Sequence, residues 1–167
     1  MATQATVSLE DYLKMSWEHD REYVDGEIIE RGMPTHFHGW VQGRFGYLFN
    51  QLAERFAVNV ASEVRNRVAE RRIRIPDVAL YKGSHPEQDV PDAPPIVAIE
   101  ILSPDDRRSE VLAKFREYRA WGVRHIWLID PKSREMSVFG EDGLCGVTEF
   151  ALPEFGVTYT ARDIFGK

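Results

Sequence analysis

The sequence is poor in features that would mark several protein classes. It holds one cysteine, Cys145, so no internal disulfide can form and no cysteine set can hold zinc. No apolar run approaches the roughly 20 residues needed to span a bilayer. The N-terminal stretch MATQATVSLEDYL lacks the basic-then-apolar order of a signal peptide, and a cytoplasmic protein is expected. Positive charge is in deficit: 21 Lys and Arg against 27 Asp and Glu leave a net charge of −6. That argues against a general nucleic-acid coat protein, which needs clustered cations to neutralise phosphates. It does not exclude an enzyme acting on nucleic acid, whose acidic metal ligands lower the total and whose binding depends on local patches. Internal repeats and dividing linkers are also lacking.

What is present suits a globular chain. The 167 residues, 43% hydrophobic and 29% charged, are enough for one domain over 1–167 with a substantial core. Ser8 and Asp11 have the spacing of a capping box and predict a helix over SLEDYLKMSW. REYVDGEIIE reads as a hairpin about Asp25-Gly26. Val41, Phe45, Leu48, Leu52 and Phe56 recur at helical spacing, and Gly39, Gly43 and Gly46 weaken that helix locally but permit close packing against a sheet. The stretch from Val58 to Lys82 reads as two or three strands, the last from about Arg72 to Tyr81. IVAIEIL is a buried strand, a helix follows over 109–121 with cap residues from SPDDRRSE, and HIWLIDP is a second buried strand. MSVFG, the region around VTEFAL and the ARDIF tail are expected to complete the sheet. The fold class implied is α/β, with a mixed central sheet flanked by helices.

The chemistry starts from acids in apolar strands. Glu100 is the sole charge in IVAIEIL, and Asp77 presents the same oddity in RIPDVALY. A buried carboxylate is costly unless paired, hydrogen-bonded or bound to a cation. On neighbouring strands the two could meet at one locus, and two protein oxygens completed by phosphate and water is how Mg²⁺ is commonly held. On the following helix Val111, Phe115 and Tyr118 share one face, with Lys114 at its margin, able to reach that locus or to snorkel into water.

These residues carry a resemblance. Pro76-Asp77-Val78, Glu100-Ile101-Leu102-Ser103-Pro104, Lys114 with Tyr118, Gly122-Val123 and Trp127 to Pro131 stand in the order of a bacterial restriction-endonuclease family within the PD-(D/E)XK nuclease superfamily. The Asp25-Gly26 hairpin and a histidine at the start of the long helix, His38, also match, so the resemblance covers nearly the whole chain. It implies a restriction-endonuclease-like fold, Mg²⁺ dependence with Mn²⁺ as a substitute, and phosphodiester hydrolysis of DNA by a homodimer. Asp77, Glu100 and the Ile101 carbonyl would hold the metal, Lys114 would orient or polarise the attacking water, and His38 would assist. The superfamily motif places its lysine two residues after the glutamate; Leu102 stands there, and Lys114 from the next helix is the replacement.

Each assignment has a plainer counterpart. Asp77 could be a turn acid beside Pro76, Glu100 a partner for an arginine of the 65–74 stretch, and Lys114 a snorkelling surface residue. His38 could face water, and Glu63 reads as a surface acid in the strand before Asp77. Arg65, Arg67, Arg72 and Arg74, with Arg71 between them, form a cluster that could contact phosphates together with Arg107, or could be a solvated strand edge. Trp121 and Trp127 read as core. A non-catalytic nucleic-acid-binding or protein-interaction module on the same fold, or a hydrolase of RNA, are the competing functions.

Overall fold

Ser8 caps the first helix as its spacing predicts: its Oγ accepts the Asp11 N–H at 3.0 Å, and α1 (Leu9–Lys14) follows, with Tyr12 buried. The computed structural model describes residues 6–167; the first five residues of the N-terminal stretch lie outside it. The hairpin forms where expected, from β1 (Glu22–Val24) and β2 (Glu27–Ile29). Asp25 (φ 52°) and Gly26 (φ 104°) both take the positive φ that the tightest hairpin turns require.

Thr35 caps α2 (His36–Ala53), which buries Val41, Phe45, Leu48, Phe49 and Leu52 at spacings of three and four. Its glycines do not act as the sequence suggests. A Cβ at Gly39, Gly43 or Gly46 would meet nothing within 4 Å, so these positions look away from the sheet and permit no closer packing on it.

The next segment gives four strands: β3 (Val58–Ala61), β4 (Asn66–Ala69), β5 (Arg72–Arg74) and β6 (Val78–Lys82). The expected single strand from Arg72 to Tyr81 is broken at Ile75-Pro76-Asp77, because proline has no N–H to continue a ladder. β5 therefore belongs to a four-stranded sheet of order β2-β1-β5-β4, while β6 enters a second sheet. That sheet also contains β7 (Val97–Ile101), β8 (His125–Asp130), β9 (Glu135–Gly140) and β10 (Gly143–Val147). Its order is β10-β9-β8-β7-β6-β3, with β7 and β8 parallel and the other pairs antiparallel, so it is mixed as expected.

The parallel pair requires a crossover, supplied by α3 (Arg108–Trp121) and ended by Gly122 at φ 112°. No side chain caps its N-terminus; Asp106, one of the expected cap acids, instead accepts the Ser103 N–H at 2.6 Å. The end of the chain also departs from expectation. β11 (Glu149–Leu152) and β12 (Val157–Thr160) pair only with each other, and ARDIF is a helix, α4 (Ala161–Phe165), nucleated by a Thr160–Asp163 capping box.

The period of two along the central strands sorts their side chains between the helices. Val97, Ile99, Ile101, Trp127 and Ile129 join the α2 core, where Trp127 stacks on Phe150 at 4.3 Å. Ala98, Ile126 and Leu128 face Val111, Phe115 and Tyr118 of α3. Glu100 takes the α3 side in this alternation. Among the described residues no helix is long and apolar enough to cross a membrane.

Candidate active site

Asp77 stands where the chain passes from one sheet to the other. Its N–H donates to the Ile99 carbonyl at 3.1 Å, which aligns β6 antiparallel to β7. Its carboxylate is almost fully occupied. Oδ2 accepts the Ile101 N–H at 2.6 Å; Oδ1 accepts Arg31 Nη2 at 2.9 Å and lies 3.2 Å from His38 Nε2. Glu100, on the neighbouring strand, is buried under α3. Its Oε2 accepts Lys114 Nζ at 3.0 Å and its Oε1 accepts the Tyr118 hydroxyl at 2.7 Å. Asp77, Glu100, Lys114 and His38 are thus brought together, and all four line one cleft of about 750 Å³. Ile101 lines the same cleft; its N–H is committed to Asp77.

Lys114 is not a snorkelling side chain. Besides Glu100 it reaches Glu22 Oε1 at 2.9 Å, and its side chain is 14% exposed. Glu22 accepts the Ile75 N–H at 2.9 Å and Arg74 Nη1 at 2.8 Å, while Arg74 also grips Glu117 at 2.7 Å. One buried chain of alternating charge therefore runs Glu117–Arg74–Glu22–Lys114–Glu100. Burial alone would push Glu22 up, but Lys114 and Arg74 outweigh it and hold the carboxyl at about 2. Burial raises Glu100, Lys114 opposes the rise, and the negative charges of Asp77 and Glu22 add to it. Burial would lower Lys114, yet Glu100 and Glu22 overcome it and keep the ammonium protonated. His38 follows the same pattern, with burial lowering its pKa and the Asp77 carboxylate raising it further. Its Nδ1 is buried with no partner among the described residues.

The arginine cluster is divided among internal partners. Arg65 holds Asp20 at 2.6 Å and lies over the Tyr12 ring; Arg72 bridges Asp25 at 2.7 Å and Glu117 at 3.0 Å; Arg74 is buried as described. Arg67 donates to the Glu70 carbonyl at 3.1 Å from an exposed position, and Arg71 donates to the Asp25 carbonyl. Arg107 is exposed on the rim of the cleft, 3.8 Å from Glu110. The arginine of this stretch that meets a buried glutamate does so at Glu22, and Glu100 takes Lys114 instead.

Several residues of the site carry no local sequence signal. Arg31 follows the hairpin in an irregular segment, and Glu22 reads as an ordinary hairpin acid. Glu63 is not in a strand but in a bend at φ 57°, where it meets Arg31 at 3.3 Å and Gln42 at 3.3 Å; a surface role does not describe it. Gln42 also donates to the Asp77 carbonyl at 2.9 Å. Tyr118 alone had a usable signal, since a tyrosine on an inward helix face needs a partner for its hydroxyl.

The donor set fits a divalent cation of the Mg²⁺ type. Asp77, in the bend before β6, and Glu100, in β7, offer hard oxygens to one cleft, and the Asp77 charge adds to the rise in Glu100. Among the described residues no group of three or more His, Cys, Asp or Glu is arranged as a metal cage. Two carboxylates leave most of an octahedral shell to backbone, phosphate and water, the manner in which Mg²⁺ is commonly held.

Comparison with known proteins bears on the family and the fold. A family profile described as "Putative restriction endonuclease" (Uma2) matches residues 9–162. A crystal structure of a "putative nuclease belonging to DUF820" from Anabaena variabilis superposes with a TM-score of 0.83 at 23% identity, covering 95% of this chain and 97% of that one. At that identity the likeness speaks for the fold. No curated protein matches the chain.

Proposed function

The chain belongs to the Uma2 restriction-endonuclease family, and from that premise we propose that it is a metal-dependent endonuclease cleaving phosphodiester bonds of DNA. The observation that carries this reading is the meeting of Asp77, from the bend before β6, Glu100, from β7, and Lys114, from α3, at one cleft. Asp77 and Glu100 would hold Mg²⁺ or Mn²⁺, with the Ile101 carbonyl as a backbone donor. The ion, when bound, supplies Lewis-acid stabilisation of the phosphodiester and a more acidic water. Lys114, kept charged by its two carboxylates, would orient the attacking water or face the negative charge that develops on the phosphate. Tyr118 fixes the rotamer of Glu100, and His38 shares Oδ1 of Asp77 with Arg31, steadying a carboxylate already tied to the Ile101 N–H. Arg107, exposed on the rim, would meet the nucleic-acid backbone. Cutting both strands of a duplex calls for two such sites, hence a homodimer acting in the cytoplasm.

The test is cleavage of supercoiled plasmid by purified protein with Mg²⁺ or Mn²⁺, against chelator. Nicking or linearisation is expected from the natural chain and none from Asp77→Ala or Glu100→Ala. Cleavage persisting in both variants overturns the assignment. DNA binding without cleavage under any divalent metal turns it into the non-catalytic module, and cleavage confined to RNA moves the substrate.

A further inference from the structure

Asp77 meets a cation in this structure, and that cation is Arg31. A carboxylate offers about four lone-pair sites. At Asp77 three are used, by the Ile101 N–H on Oδ2 and by Arg31 and His38 on Oδ1. A metal ion arriving at Oδ1 competes with a guanidinium at 2.9 Å inside a pair whose side chains are 13% and 6% exposed.

Of the two cations that hold Asp77 and Glu100, Arg31 has the looser second tether. Lys114 is locked between Glu22 and Glu100 at 2.9 and 3.0 Å, both nearly buried. Arg31's second tether is Glu63, one-third exposed and at 3.3 Å. Its backbone, by contrast, is fixed. A Cβ on the following residue, Gly32, would lie 3.1 Å from both Ser103 Cβ and Asp106 Oδ1 of the β7–α3 loop, so the main chain runs tight against the cleft wall. A guanidinium on a fixed base, held by a carboxylate on either side, can turn to another oxyanion without the chain moving. Phosphate matches its planar fork as well as carboxylate does.

We propose that Arg31 is exchanged between Asp77 and a substrate phosphate, so that nucleic acid and a divalent cation bind this cleft cooperatively. The inference rests on the nuclease reading above. Before substrate arrives, Arg31 neutralises Asp77 and disfavours the metal. When a phosphodiester enters, Arg31 transfers to it, and the Oδ1 lone pair it occupied becomes free for the ion, His38 keeping the other. Each ligand thus tightens the other by the same factor.

The experiment is calorimetric titration of Mn²⁺ into the full chain without DNA, for the natural protein, Arg31→Met and Arg31→Lys. Arg31→Met should bind Mn²⁺ on the order of tenfold more tightly, and Arg31→Lys less so, because lysine retains the charge without the fork. General structural damage would weaken binding, so the direction is diagnostic. Thermal melting confirms that each variant is folded; should Arg31→Met not fold, tighter binding by Arg31→Lys is required. A second series uses Ca²⁺ with a short DNA duplex shown intact afterwards by electrophoresis. The duplex should raise the cation affinity of the natural protein and lose most of that effect in the variant that folds. Equal or weaker Mn²⁺ binding by the variants, or an undiminished effect of DNA, overturns the exchange while leaving the nuclease reading standing. A natural protein that binds no divalent cation with or without DNA overturns both.

Discussion

Glu22→Gln is the perturbation whose magnitude the structure defines best. The side chain is buried and its carboxylate receives Lys114 at 2.9 Å, Arg74 at 2.8 Å and the Ile75 N–H at 2.9 Å. Burial works against ionisation, but the two cations prevail, and the group titrates at about 2 rather than 4.5. At 1.36 kcal/mol for each pH unit of difference, the charged form contributes about 3 kcal/mol to folding. A folded pKa below the unfolded one means that this stability is complete above pH 4.5 and is lost as pH falls toward 2. The amide keeps the shape and one acceptor oxygen but removes the charge. Lys114 and Arg74 are then left with Glu100 and Glu117 alone. Urea denaturation at pH 7 should show a deficit of about 3 kcal/mol, in the range for breaking a buried pair. Repeated at pH 5 and at pH 3.5, the deficit should persist at the first and shrink at the second. A deficit below about 1 kcal/mol at pH 7, or one that does not change with pH, refutes the claim that Glu22 is the ionised centre of this network.

Further outcomes follow from the same contacts. Tyr118→Phe removes the donor to Glu100 Oε1, a buried acceptor. It should cost about 1–3 kcal/mol of stability and slow cleavage while leaving DNA affinity unchanged, checked by melting, gel cleavage and fluorescence anisotropy. Arg74→Met should destabilise the fold by about 3–5 kcal/mol without altering the salt dependence of DNA binding, because Arg74 is committed to Glu22 and Glu117. Arg107→Ala should leave the melting temperature within a degree or so and reduce the slope of log affinity against log salt by about 1.

How far the sequence discloses this site depends on the range of the signal. Glu100 stands out because an ionised group in an apolar strand is anomalous within its own five or six neighbours; Asp77, read the same way, lies in the bend just before β6. The pairing of their strands follows from the tendency of consecutive strands to lie side by side. Lys114 is legible as a face-margin residue, and its second partner, Glu22, is not. That contact joins residues 92 positions apart, through a hairpin that pairs with β5 rather than with the central sheet. The same long-range pairing explains the arginines. From the sequence, Arg65, Arg72 and Arg74 form a cationic patch; in the structure they meet Asp20, Asp25, Glu22 and Glu117, which no local pattern connects to them. Pro76 was the visible sign that Arg72 to Tyr81 could not be one strand. Its effect is functional as well as topological, since the break sets Asp77 at the junction of two sheets. The C-terminal segment misleads because alternating residues signal a strand without naming its partner, and β11 finds β12 rather than the central sheet.

The central claim is that Asp77 and Glu100 together form a cation site. Its most direct test is an anomalous difference map from crystals of the protein bound to a short DNA duplex and soaked in Mn²⁺. The account predicts one strong peak bonded to both carboxylates at about 2.0–2.2 Å, the range for a small hard cation on oxygen. A peak elsewhere in the cleft, or no peak while both carboxylates keep their Arg31 and Lys114 partners at saturating metal, contradicts it.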